Sequence, residues 1–166
     1  MSTLDRLADL SRALEALGYQ PSPYGEDGLE IQVSGDEPPA TRPMRLRLAT
    51  LQEGAESAAS LLTFSLTYEF GAPEGGVDAI RLAGSIIDRY LLLGHVVVSD
   101  EGEVGLRYAM LLDRDLSPEV LVQVMGVLDY QQLHYGDYLE AICADEVDLD
   151  IFPAFVARAE VEIDFD

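Results

Sequence analysis

Apolar positions along this 166-residue chain recur with two periods, and the switches between them mark the elements. Over residues 3–17, Leu4, Leu7, Leu10, Leu14 and Leu17 return at three- and four-residue steps, which places them on one face of a helix. Ser2 or Thr3 can cap its start and Gly18 can end it, while Pro21 and Pro23 forbid its continuation. The period then drops to two. Leu29, Ile31 and Val33 alternate with Glu30 and Gln32; after a turn-rich stretch with Pro38, Pro39 and Pro43, so do Met44, Leu46 and Leu48 with Arg45 and Arg47. The alternation is clearest over 62–70, with Leu62, Phe64, Leu66, Tyr68 and Phe70 on one face. Short links between successive strands favour an antiparallel meander.

A glycine-rich link at 71–76 leads to a second helix, 77–93. Its stripe of Ile80, Ala83, Ile87, Tyr90 and Leu91 is widened by Leu82, Ile86, Leu92 and Leu93. A helix apolar over more than one stripe buries two faces, so Ile80, Ile87, Tyr90 and Leu91 are candidates for a dimer interface. A helix sunk in its own core accounts for the same pattern. Strands at 95–99 and 104–112 follow, joined by the turn signal Asp100-Glu101-Gly102-Glu103. Ser117-Pro118-Glu119 then opens a long helix that runs to residue 144 with Leu121, Val124, Leu128, Tyr135, Tyr138 or Leu139, and Ile142 on its stripe.

The pattern changes again after residue 144. The last 22 residues hold eight acids and one base, Arg158, among large apolar residues that include Phe152 and Phe155. A purely solvating tail does not carry so many apolar side chains, so residues 145–166 are expected to dock. Arg42, Arg45 and Arg47 form the densest basic cluster available to receive them. The expected organisation is therefore a single α+β domain over 1–144 and an acidic, apolar tail over 145–166.

Charge narrows the partners. Thirty-one acids face ten basic residues, a net charge of −21. Such a field repels phosphate backbones, which argues against direct nucleic-acid binding and for either simple solubility or a basic partner. All ten basic residues are arginine, which removes the phosphate-loop lysine and Schiff-base chemistry. No apolar run approaches membrane-spanning length, and the first 17 residues lack a secretory pattern, so a cytoplasmic protein is expected.

Candidate chemistry is sparse. His95 and His134 stand in no zinc-type spacing, and the lone Cys143, at the end of the last helix, reads as a small hydrophobe. Asp113-Arg114-Asp115 lacks the glycine and spacing of an oxygen-ligand loop. No catalytic residue, metal or cofactor is expected.

The segments Ile87-Asp88-Arg89-Tyr90, His95 to Val104, Arg107-Tyr108-Ala109-Met110 and Leu116-Ser117-Pro118-Glu119-Val120-Leu121 resemble those of YbjN-like bacterial proteins of the type III secretion chaperone-like fold. The resemblance covers about residues 3–144. It implies the order α-β-β-β-α-β-β-α, an antiparallel sheet packed against helices, and a homodimer without enzymatic activity. The function expected from it is a chaperone-like or regulatory module that holds a segment of a partner protein. The alternative, suggested by the charge, is an acidic mimic that inhibits a nucleic-acid-binding protein.

Overall fold

The computed structural model describes residues 3–34, 41–50, 59–112 and 117–162. Among them lie α1 (Thr3–Ala16), β1 (Ser22–Tyr24), β2 (Gly28–Ser34), β3 (Thr41–Thr50), β4 (Ser60–Gly71), α2 (Val77–Ile87), β5 (His95–Val98), β6 (Glu103–Leu112), α3 (Pro118–Cys143) and α4 (Phe152–Glu162). The six strands form one open antiparallel sheet in the order β1-β2-β3-β4-β6-β5. The fold is thus mixed α+β. The Asp113-Arg114-Asp115 motif lies outside the described residues.

The chain forms two compact units, Met1–Leu66 with Arg107–Asp129, and Thr67–Leu106 with Tyr130–Asp166. In the first, the alternation read from the sequence sets the register. Leu46 stands between Leu29 on β2 and Phe64 on β4, and Met44 between Ile31 and Leu66. All six are buried, as are Leu10 and Leu14 of α1 and Leu121 and Leu128 of α3. The intervening arginines find acids: Arg45 donates to Glu30 opposite it at 3.0 Å and Arg47 to Asp27 at 2.9 Å. Arg6 of α1 donates to the buried Ser60 hydroxyl at 2.7 Å, fastening the start of β4.

The second unit is built around α2. Ile80, Ala83, Ile86 and Ile87 pack with Val104, Tyr135, Leu139 and Ile142. Gly84 allows the helix to lie directly on β5, since a Cβ there would stand 2.8 Å from Val96 Cγ1. The β5–β6 link forms the expected tight turn. The Gly102 amide donates to the Ser99 carbonyl, the Ser99 amide to the Glu103 carbonyl, and Gly102 takes a positive φ of 86°.

One expectation needs correction here. The second helix stops at Ile87, six residues early. The amides of Arg89 and Tyr90 bond to Ile86 and Ile87, tightening the chain out of the helix, and Gly94 turns it into β5. The apolar run at 90–93 is a loop whose backbone is held by α3, so tertiary contact overrides local pattern. The segment after residue 144, expected to dock, is helical and packs with α2. Asp145 takes the left-handed conformation at φ 61°, and the Glu146 amide bonds back to the Ala141 carbonyl at 2.8 Å, closing α3. The chain then enters α4, whose Phe152 and Val156 are fully buried in the α2 core.

Phe152→Ala should therefore lower unfolding free energy by about 3–5 kcal/mol in a urea titration, the cost of emptying a buried aromatic site. An unchanged midpoint would mean that α4 contributes nothing to the core.

Candidate functional site

Within the second unit, the sequence Tyr130-Gln131-Gln132-Leu133-His134-Tyr135-Gly136 of α3 serves three directions at once. At 100° per residue, Gln131 and Tyr135 share one face, Gln132 and Gly136 a second, and Tyr130 and His134 a third.

The first face holds the loop after α2. The buried Gln131 accepts from the amides of Leu92 and Leu93 at 2.6 and 3.0 Å through Oε1, and donates from Nε2 to the Leu93 carbonyl at 2.8 Å. The Tyr135 hydroxyl donates to the Tyr90 carbonyl at 3.3 Å. One helix thus replaces the hydrogen bonds that the 90–93 backbone gave up by leaving α2. The second face meets β4. Gln132 donates to the Thr67 carbonyl at 3.2 Å, and Gly136 lets the Tyr68 ring approach to where a Cβ would be 3.1 Å away. Burial pushes the Tyr68 phenol well above its usual range. Among the described residues, neither its hydroxyl nor Gln132 Oε1 has a hydrogen-bond partner.

The third face looks outward. Tyr130 and His134 stack at 5.6 Å with 6° between their planes. His134 meets Tyr138 edge-on at 5.8 Å, and Tyr138 meets Phe155 of α4 edge-on at 5.6 Å. This ladder of rings is half open to solvent: Tyr130 is 54% exposed, neighbouring Leu133 50% and Phe155 40%. Ile151, one turn before Phe155, is 58% exposed. Asp137 and Glu140 lie exposed along the same side of α3 as Leu133.

The candidate residues read from the sequence fall elsewhere. Ile80 and Ile87 are 1% and 0% exposed within the chain itself, so they have no surface to give a second copy. Tyr90 and Leu91 are half-buried and pack against the same core. The solvent side of this region carries Leu82 and Leu92 instead, 52% and 75% exposed. Arg42 pairs with Asp129 at 2.6 Å; with Arg45 on Glu30 and Arg47 on Asp27, each of the three arginines has its acid in the first unit. Phe152 is buried with α2, and Phe155 closes the ladder. His95 is exposed at the start of β5. Burial, helped by the charge of Glu140, pushes the Cys143 thiol up to about 11, so it is protonated and weakly nucleophilic at neutral pH. Among the described residues no group of three or more histidines, cysteines or carboxylates could hold a metal ion. No helix among them is long and apolar enough to cross a membrane.

Both sheet edges are guarded. β1 is three residues long with Pro23 at its centre, which has no amide to offer. On β5 the Val96 amide donates to Asp88 at 2.7 Å, and the Val98 carbonyl accepts from Arg81, which also bonds Asp100 at 2.5 Å.

The ladder was present in the sequence as Tyr130, His134 and Tyr138 at four-residue steps. Its periodicity carries little signal, because tyrosine and histidine occur in core and surface alike. Two substitutions test the inner faces. Tyr68→Phe should raise stability by about 1 kcal/mol, because it removes a buried hydroxyl that has no partner. Gln131→Leu should cost about 2 kcal/mol, because it strands three backbone groups of the loop. Thermal and urea melts of both variants read these signs; a destabilised Tyr68→Phe would show that its hydroxyl is bonded after all. No family model and no curated protein matches this chain.

Proposed function

We propose that this protein is a non-enzymatic protein-binding module, chaperone-like or regulatory, that holds a segment of a partner protein. The observation that carries this reading is the ring ladder of α3 and α4. It keeps large apolar side chains in water on a helix whose other faces are fixed by Gln131, Tyr135, Gln132 and Gly136. Exposed aromatics on a rigid support lose little side-chain entropy on binding, which suits them as anchors.

The guarded edges turn the reading away from strand addition and towards a helix face as the grip. The reading includes the proposal that the chain is a YbjN-like protein of the type III secretion chaperone-like fold. The observed order differs from the expected one by the short β1 and the terminal α4. A homodimer belongs to the same proposal, with Leu82 and Leu92 replacing Ile80 and Ile87 as its contacts. The second reading, an acidic mimic inhibiting a nucleic-acid-binding protein, is favoured by the concentration of acid in the second unit. It gives no role to the exposed rings, which a phosphate mimic does not need.

A photo-crosslinking side chain placed at Leu133 should capture a partner in cells as a discrete covalent adduct. The same group at Leu111, 64% exposed on the first unit, should not. Absence of any adduct from position 133, or equal capture from both positions, would count against the proposal.

A further inference from the structure

Charge is divided unevenly between the two units. The first holds seven of the ten arginines, and Arg12, Arg42, Arg45 and Arg47 each pair with an acid there. The second holds seventeen of the thirty-one acids against only Arg81, Arg89 and Arg158, a net charge of −14. Arg81 is itself engaged by Asp78 and Asp100. The exposed ladder therefore sits in the strongly acidic unit, with Asp137 and Glu140 on its own helix and Glu146, Asp148 and Asp150 exposed on the link to α4.

This combination selects among occupants. A second copy seated on this same ladder would set one strongly acidic ladder face directly against another, an arrangement of like charges that costs affinity there. Nucleic acid and anionic headgroups are repelled for the same reason. A neutral apolar helix would cover the rings but leave the carboxylates facing nothing. A cationic segment answers both features. Arginine stacks its guanidinium on an aromatic face while its donors reach a carboxylate, which lysine's compact ammonium does less well.

From this we infer that the ladder Tyr130, His134, Tyr138 and Phe155, with Leu133 at its side, is the docking face for a basic, arginine-containing amphipathic segment of another protein. The segment's apolar side chains cover Leu133 and Phe155, and its arginines lie over Tyr130 and His134 within reach of Asp137 and Glu140. The inference rests on the proposed binding function and adds to it the chemistry of the partner.

The test uses the full chain and three synthetic amphipathic peptides with one apolar pattern, whose polar positions are arginine, glutamine or glutamate. Binding is followed by fluorescence anisotropy, and its place by shifts of the Tyr130 and Tyr138 ring signals. The arginine peptide should bind, at least tenfold more tightly than the glutamine peptide, and the glutamate peptide should not bind. Tyr130→Ser with Leu133→Ser should weaken it at least tenfold, and these exposed positions can change without unfolding the chain. Asp137→Asn with Glu140→Gln, or 0.5 M salt, should weaken the arginine peptide and leave the glutamine peptide unmoved. Equal binding of the arginine and glutamine peptides at the ladder would overturn the basic partner while leaving the binding function standing. Arginine-peptide binding indifferent to the Tyr130/Leu133 variant would overturn the site. If none of the three peptides binds while the crosslink at Leu133 still captures a partner, the inference fails alone; if both experiments are blank, the function fails with it.

Discussion

The second unit depends on one buried amide. When the chain leaves α2 at Ile87 it must reach β5 through a loop whose backbone groups have lost their helical partners, and Gln131 supplies three of the missing hydrogen bonds from a single side chain. An apolar residue at that position would leave these groups unpaired. Because Gln131 lies mid-helix, the same contact that settles the loop also fixes the rotation of α3. That rotation puts Gln132 and Gly136 against β4 and turns Tyr130, His134 and Tyr138 outward. The exposed ladder is thus a geometric consequence of how the interior is satisfied.

The remaining surface is organised by exclusion. Side chains from α2 and its end occupy the outer groups of β5, and a proline interrupts β1, so the sheet offers little to an added strand. A deficit of arginine leaves the second unit acidic, a field that on the proposed reading favours a cationic partner. On the proposed reading, the exposed rings would add what charge alone does not, a short-range and water-excluding contact that salt does not screen.

Much of the fold was legible in the chain. The alternation in β2, β3 and β4 matched the buried set, the Asp100–Gly102 turn formed as its residues dictate, and Ser117 and Pro118 start α3. Expectations missed where a long-range contact overruled the local one. Tyr90 to Leu93 read as helix because they are apolar, yet the Leu92 and Leu93 backbone is claimed by Gln131, a residue with no apolar signal of its own, and the Tyr90 carbonyl by Tyr135. Residues 145–166 carry enough large apolar side chains to predict docking, but their mixture with acids hides the helix. Among the described side chains of α4, Phe152 and Val156, four apart, carry the burial that makes the helix part of the core. Ile80 and Ile87 read as contacts for a second subunit because an over-apolar helix does not say which of its neighbours covers it. The candidate site was least legible, since a ladder of tyrosine and histidine is conspicuous only when the helix's other two faces are known to be occupied.

For the ladder to be a defined outward face, α3 must hold the 90–93 loop rigidly. Native-state hydrogen exchange at the amides of Leu92 and Leu93 tests this most directly. If Gln131 clamps them, both should open only with an energy close to that of global unfolding, alongside the amides in the middle of α3. Exchange at the rate of an open surface loop would show that the clamp does not hold, and the rigid platform beneath the ladder would go with it.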